Sequence, residues 1–139
     1  MLEGLLDKLS LKKDAEVEKY TYILRYQGQV ISFSDDIYDT LVKLIEKMDN
    51  TSSVSVDFRP ELKGLCSWEF KKNHDKYYSI LTFNKRSKKV KYFVEPQSLD
   101  ELLTVFKKSY FDKEAVSSKI LNDMKSLEKA IGCNTLAFV

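Results

Sequence analysis

Few side chains in this 139-residue chain carry the chemistry a catalytic site needs, and their spacing settles most of the question. His74 is the only histidine, so no two-imidazole metal site can be written. It lies in the run Asn73-His74-Asp75-Lys76, whose Asn and Asp favour local backbone bonding. The expectation is a solvated turn residue, not a general base. The two thiols are Cys66 and Cys133. Cys66 with His74 would make a nucleophile and base, but Cys66 alternates with Trp68 and Phe70 along a predicted strand. That pattern predicts a buried, inert thiol. Cys133 follows a predicted helix end, and neither cysteine sits in metal-ligand spacing, so both are expected as free thiols of a reducing cytosol. Gly4, Gly28, Gly64 and Gly132 are isolated, which excludes a phosphate loop and a dinucleotide fingerprint. Asp35, Asp36 and Asp39 form a carboxylate cluster, yet acids at the start of a predicted helix already have a structural cause in capping the first turn. No enzymatic activity, cofactor or metal is expected.

Charge and aromatic side chains are the remaining candidates for function. The net charge is only +2, but it is unevenly spread. Residues 1–62 hold 8 basic and 12 acidic side chains, and residues 63–95 hold 9 basic and 3 acidic ones. Lys71, Lys72, Lys76, Lys85, Arg86, Lys88, Lys89 and Lys91 make the middle segment basic, and Tyr77, Tyr78, Phe83 and Tyr92 are interleaved with them. Basic groups beside aromatic faces are what single-stranded nucleic acid uses. Lysines at sheet edges and loops also prevent aggregation, and the nearly neutral whole is unlike many nucleic-acid binders. A solvated edge is therefore the preferred reading.

The elements that must position these groups follow from periodicity. A length of 139 residues suits one domain spanning 1–139, with a core large enough to need no staple. Leu2, Leu5, Leu6 and Leu9 repeat with helical spacing. Residues 17–26 and 29–34 read as a hairpin turning at Gln27-Gly28, with Tyr20, Tyr22, Leu24 and Tyr26 on one face and Val30, Ile31 and Phe33 in the return strand. Ser34-Asp35-Asp36 opens a helix with the stripe Ile37, Leu41, Leu44, Ile45 and Met48. Strands follow around Val54, Val56 and Phe58, stopped or confined to an edge by Pro60, around Trp68 and Phe70, around Tyr78, Ile80 and Thr82, and around Val90, Tyr92 and Val94. Ser98-Leu99-Asp100-Glu101 is a capping box for a helix carrying Leu102, Leu103 and Phe106. A last helix is expected from Val116 through Ile120, Leu121, Met124 and Leu127 to Ile131, then Gly132 and an apolar tail. The order lacks strand–helix alternation. The expected class is α+β: a curved antiparallel sheet of about five to six strands with helices on one face. No stretch is long and apolar enough to span a membrane, the first residues do not read as a signal peptide, and a cytoplasmic location is expected.

In length and layout the chain resembles the small immunity proteins of bacterial toxin systems, such as those of contact-dependent growth inhibition. The resemblance spans the whole chain and rests on no diagnostic residue. It implies a compact domain without enzymatic motifs that binds and neutralises one cognate toxin. Under that reading Asp35, Asp36, Asp39, Glu46 and Asp49 would oppose a basic cleft of the partner, or Lys85, Arg86, Lys88 and Lys89 would meet an acidic patch. The alternative is a nucleic-acid-binding module using residues 71–92.

Overall fold

A computed structural model describes residues 20–131. The expected first helix over residues 2–9, the connection over 12–16, Gly132, Cys133 and the apolar tail lie outside the described residues. The chain is α+β, built on an antiparallel sheet of seven strands in the order β2-β1-β3-β4-β5-β6-β7. The elements are β1 (Thr21–Tyr26), β2 (Gln29–Ser34), α1 (Tyr38–Glu46), β3 (Ser53–Leu62), β4 (Leu65–Asn73), β5 (Lys76–Lys85), β6 (Lys88–Gln97), α2 (Leu99–Tyr110), a 3₁₀ turn (Ser118–Ile120), β7 (Leu121–Asp123) and α3 (Met124–Ile131).

Tight turns make the meander possible. Gln27 and Gly28, Lys63 and Gly64, and Arg86 and Ser87 are consecutive pairs at positive φ, the geometry of two-residue hairpins whose twist matches the strands. Glycine is required at position 64, where φ is 92° and an added Cβ would lie 3.3 Å from the Asn84 carbonyl oxygen.

Alternation along the strands then sorts the side chains. Tyr22, Leu24, Val54, Val56, Phe58, Trp68, Phe70 and Leu81 are buried on one face beneath α1 and α2. Leu41 and Ile45 of α1 and Leu102, Phe106 and Tyr110 of α2 close over them. Phe106 is the hub: its ring centroid lies 5.1 Å from that of Trp68 and 5.2 Å from that of Phe70, both at edge-on angles, the arrangement aromatic quadrupoles prefer. The Trp68 indole N–H donates to Ser79 Oγ at 2.7 Å, so the only tryptophan is buried with its polar atom satisfied. The predicted capping box is formed, with Glu101 N donating to Ser98 Oγ and Ser98 N donating to Glu101 Oε1, each at 3.3 Å.

Several expectations need correction. The sheet has seven strands among the described residues, not five to six. The helices do not share one face: Leu127 of α3 packs with Tyr78, Ile80 and Phe93 in a separate cluster, on the side opposite Leu81. The last helix begins at Met124; Val116 precedes a 3₁₀ turn, and Leu121 belongs to β7. The spacing of Val116, Ile120, Leu121, Met124 and Leu127 predicts a single helix, but the first three pack toward the α1–α2 core and Leu127 toward the other. Ser34-Asp35-Asp36 does not cap α1. The N-cap is Ile37, with no side-chain cap bond, and the Ile37 amide instead donates to the Tyr110 hydroxyl at 2.8 Å. Ser34 Oγ closes its own turn on the amide and carbonyl of Asp36. Pro60 neither stops β3 nor marks an edge, since β3 lies between β1 and β4. The β3–β4 register skips from Asp57 to Leu62, so Pro60 falls where no ladder bond is required of it.

Candidate partner-binding surface

The thiol and imidazole are not brought together. Cys66 is at the start of β4 and His74 is in the turn beyond its end, a separation of ~26 Å at the rise of an extended strand. His74 is exposed with φ 60°, as a turn residue should be. Cys66 differs from expectation. It is the extra residue of an irregularity between the Leu65–Phe83 and Ser67–Thr82 pairs, so Leu65 takes the buried position and Cys66 is half-buried. Its Sγ donates to Glu61 Oε2 at 3.2 Å and accepts from Lys89 Nζ at 3.3 Å. Burial, then the hydrogen bond to Glu61, push the thiol above its ordinary pKa, so it is held protonated at neutral pH and is a poor nucleophile. Cys66 opens onto a surface cavity of about 450 Å³ lined by Asp57, Arg59, Glu61, Ser67 and Lys89. Among the described residues no group of three or more His, Cys, Asp or Glu is gathered to hold a metal ion. No helix there is long and apolar enough to cross a membrane.

The acidic residues do not form one patch. Asp35 and Asp36 precede α1, Asp39 is in its first turn, and Glu46 and Asp49 come at and beyond its other end; the nine-residue helix spans ~13 Å. Lys43 and Lys47 are interspersed on its exposed surface. Asp49 is engaged locally: its Oδ1 accepts from Thr51 N at 2.8 Å, Thr51 Oγ1 at 2.7 Å and Ser52 Oγ at 3.0 Å. The bonds from Thr51, then Ser52, hold its carboxyl below the ordinary range. Asp36 Oδ1 lies 3.5 Å from the Tyr110 hydroxyl.

The basic residues do converge. Arg86 and Ser87 turn the β5–β6 hairpin, flanked by the Lys85–Lys88 pair and then by Asn84 opposite Lys89. The Asn84 amide donates to the Gly64 carbonyl at 2.7 Å, which sets the β3–β4 tip beside the β5–β6 tip. Lys63 and Arg59 are therefore at the same end of the sheet, a contribution that sequence reasoning missed because it depends on strand pairing. All of these cations are exposed. They are not equally available. Lys85 Nζ donates to Tyr92 OH at 2.9 Å and lies 4.8 Å from the centroid of that ring, while Lys89 reaches Cys66 and lies 3.9 Å from Glu61. Arg86 and Lys88 make no hydrogen bond or ion pair among the described residues. Lys71, counted as part of the solvated basic segment, is instead buried, and burial lowers its pKa.

Asp35 and Asp36 follow β2 at this same end of the sheet, with β5 four strands away, ~19 Å at the usual strand spacing. One end of the sheet is thus polarised, acidic at one side and basic at the other. In comparisons with known proteins, no family model matches the chain, and neither a curated protein nor a solved structure matches it significantly.

Proposed function

We propose that the chain is a protein-binding, inhibitory module of the immunity type, acting in the bacterial cytoplasm, and that it neutralises a toxin domain by binding an acidic surface with the basic end of its sheet. The observation that carries the reading is the β5–β6 tip, where Arg86 and Lys88 are exposed and make no internal pair among the described residues while Lys63 and Arg59 join them from the neighbouring hairpin. Such a tip steers an acidic partner and fixes its orientation. The tip also keeps Arg86 and Ser87 at φ 52° and 69°, where Asn and Gly fit at less cost. The acidic residues support a partner contact less well, because Asp49 is satisfied locally and Glu46 lies at the far end of α1.

Single-stranded nucleic acid is the competing reading, and the aromatic side chains argue against it. Base stacking needs open ring faces. Tyr78 and Phe83 are buried, and the Tyr77 and Tyr92 rings carry the chain's own Lys72 and Lys85 ammonium groups at 5.4 and 4.8 Å. Co-expression with the product of the neighbouring reading frame is expected to return a stoichiometric complex. Replacing Arg86 and Lys88 together by Glu is expected to weaken that complex at least tenfold with the fold intact. A chain that stays alone, or affinity indifferent to the charge reversal, removes the proposal. An oligothymidylate that binds at low salt and is released steeply as salt rises would favour nucleic acid instead.

A further inference from the structure

Among the described residues strand β2 is an edge of the sheet, and apart from a one-residue irregularity at Ile31 it carries none of the devices by which edges are normally protected. Its sequence, Gln29-Val30-Ile31-Ser32-Phe33-Ser34, holds no charged residue in a chain that is 32% charged. Its apolar side chains are the exposed ones: Phe33 is 72% exposed, Val30 50% and Ile31 49%. Among the described residues only one of the strand's two sides is paired, to β1. Natural edges are usually shortened, charged, bulged or interrupted by proline. The opposite edge obeys that rule, since β7 has three residues, ends on Asp123 and runs into α3.

We propose that β2 is covered by β2 of a second copy of the chain, antiparallel about a two-fold axis, joining the two sheets into one. Three observations select this occupant. The uncharged strand can face itself without repulsion, whereas a strand adapted to a charged partner would carry the complementary charge. The flanking acids also set the direction. Asp35 and Asp36 directly follow β2, so a parallel pair would set four carboxylates side by side, and an antiparallel pair sends them to opposite ends. The short, charged β7 offers no second apolar edge, so association closes at two copies and does not grow into a fibre. With the axis at the strand centre, between Ile31 and Ser32, Val30 of each copy stands opposite Phe33 of the other. Both lie on the face away from α1 and α2, because the extra residue Ile31 shifts the alternation so that Phe33 pairs with Ile23 and Val30 with Arg25. The strip is narrow beside the ~800 Å² per partner of a standard interface, so the dimer is concentration-dependent. This proposal does not rest on the basic end of the sheet being a binding surface.

Sedimentation equilibrium of the full chain from micromolar to millimolar concentration tests it. The expected result is a shift from 16.2 kDa toward twice that mass. A V30K/F33K variant is expected to stay monomeric, and a V30E/F33K variant, which sets Glu opposite Lys at both contacts, is expected to recover the dimer. Far-UV circular dichroism checks that both variants fold. In the wild type, amide exchange of residues 30–33 is expected to slow as concentration rises, a readout that needs no variant. A monomer at every concentration, as would follow if residues 1–19 of the same chain cover the strand, overturns the proposal. A V30K/F33K dimer overturns it as well, and failure of the V30E/F33K rescue overturns the two-fold register.

Discussion

Single residues here are mostly occupied in holding the fold, and Asp49 is the clearest case. It gathers three donors from Thr51 and Ser52 to close the turn between α1 and β3, and those donors keep its carboxyl below the ordinary value of 3.8. A folded-state carboxyl pKa that is depressed contributes stability that is fully present above the unfolded value and is lost as pH falls through the folded one. Replacing Asp49 by Ala is therefore expected to lower the urea midpoint at pH 7. The gap between wild type and variant is expected to narrow as pH drops below 3.8. A gap that stays constant down to pH 2 would mean that the turn does not depend on the carboxylate. Glu101 in the capping box has the same sign, since the Ser98 hydroxyl and amide lower its pKa. The cysteine illustrates the opposite outcome. Alternation with Trp68 and Phe70 predicted burial for Cys66, and a one-residue irregularity in β4 moved it to the cavity wall, where Glu61 and Lys89 hold it.

At the scale of elements, local chemistry was the legible part of the sequence. The Gln27-Gly28 turn and the Ser98 capping box are legible because a backbone conformation or a reciprocal bond depends on a few adjacent residues. Elements that depend on distant partners are not. The helix expected from Val116 broke because its apolar residues serve two different faces of the sheet, and the Ile37 amide found Tyr110, 73 residues away, in place of the Asp35-Asp36 cap. The basic end was legible only in its β5–β6 half, since Arg59 and Lys63 join it through strand register. The Arg86-Ser87 turn carries a testable tension between stability and binding. Left-handed backbone costs about 1–2 kcal/mol in a residue other than glycine. Ser87→Gly is expected to raise stability by ~0.5–1 kcal/mol, measured by urea unfolding. Arg86→Asn is expected to stabilise the turn too, while weakening any complex made through the basic end as proposed above. A turn indifferent to both changes would mean that the hairpin, and not its tip residues, sets the geometry.

At the scale of the molecule, the sheet acts as a partition between two apolar compartments of unequal size among the described residues. The larger lies under α1 and α2 and centres on Phe106, and the smaller lies under α3 and comprises Tyr78, Ile80, Phe93 and Leu127. Neighbouring residues of β5 serve both sides, since Ile80 belongs to the smaller cluster and Leu81 to the larger. If the partition is rigid, a cavity on one side is not relieved by movement on the other, because packed interiors relax only partially around lost volume. Leu41→Ala in α1 is expected to destabilise by ~2–5 kcal/mol and Ile80→Val in β5 by ~0.5–1.5 kcal/mol. As residues on opposite faces with no shared partner, they should combine additively to within ~0.5 kcal/mol. Trp68→Phe and Phe106→Leu provide the contrast, because their rings are in contact with centroids 5.1 Å apart, and their double variant should depart from additivity by ~0.5 kcal/mol or more. Denaturant unfolding of the two double-mutant cycles decides the matter. Coupling across the sheet as large as that within the aromatic cluster would mean that the strands deform to share the loss, and the two compartments would then behave as one core.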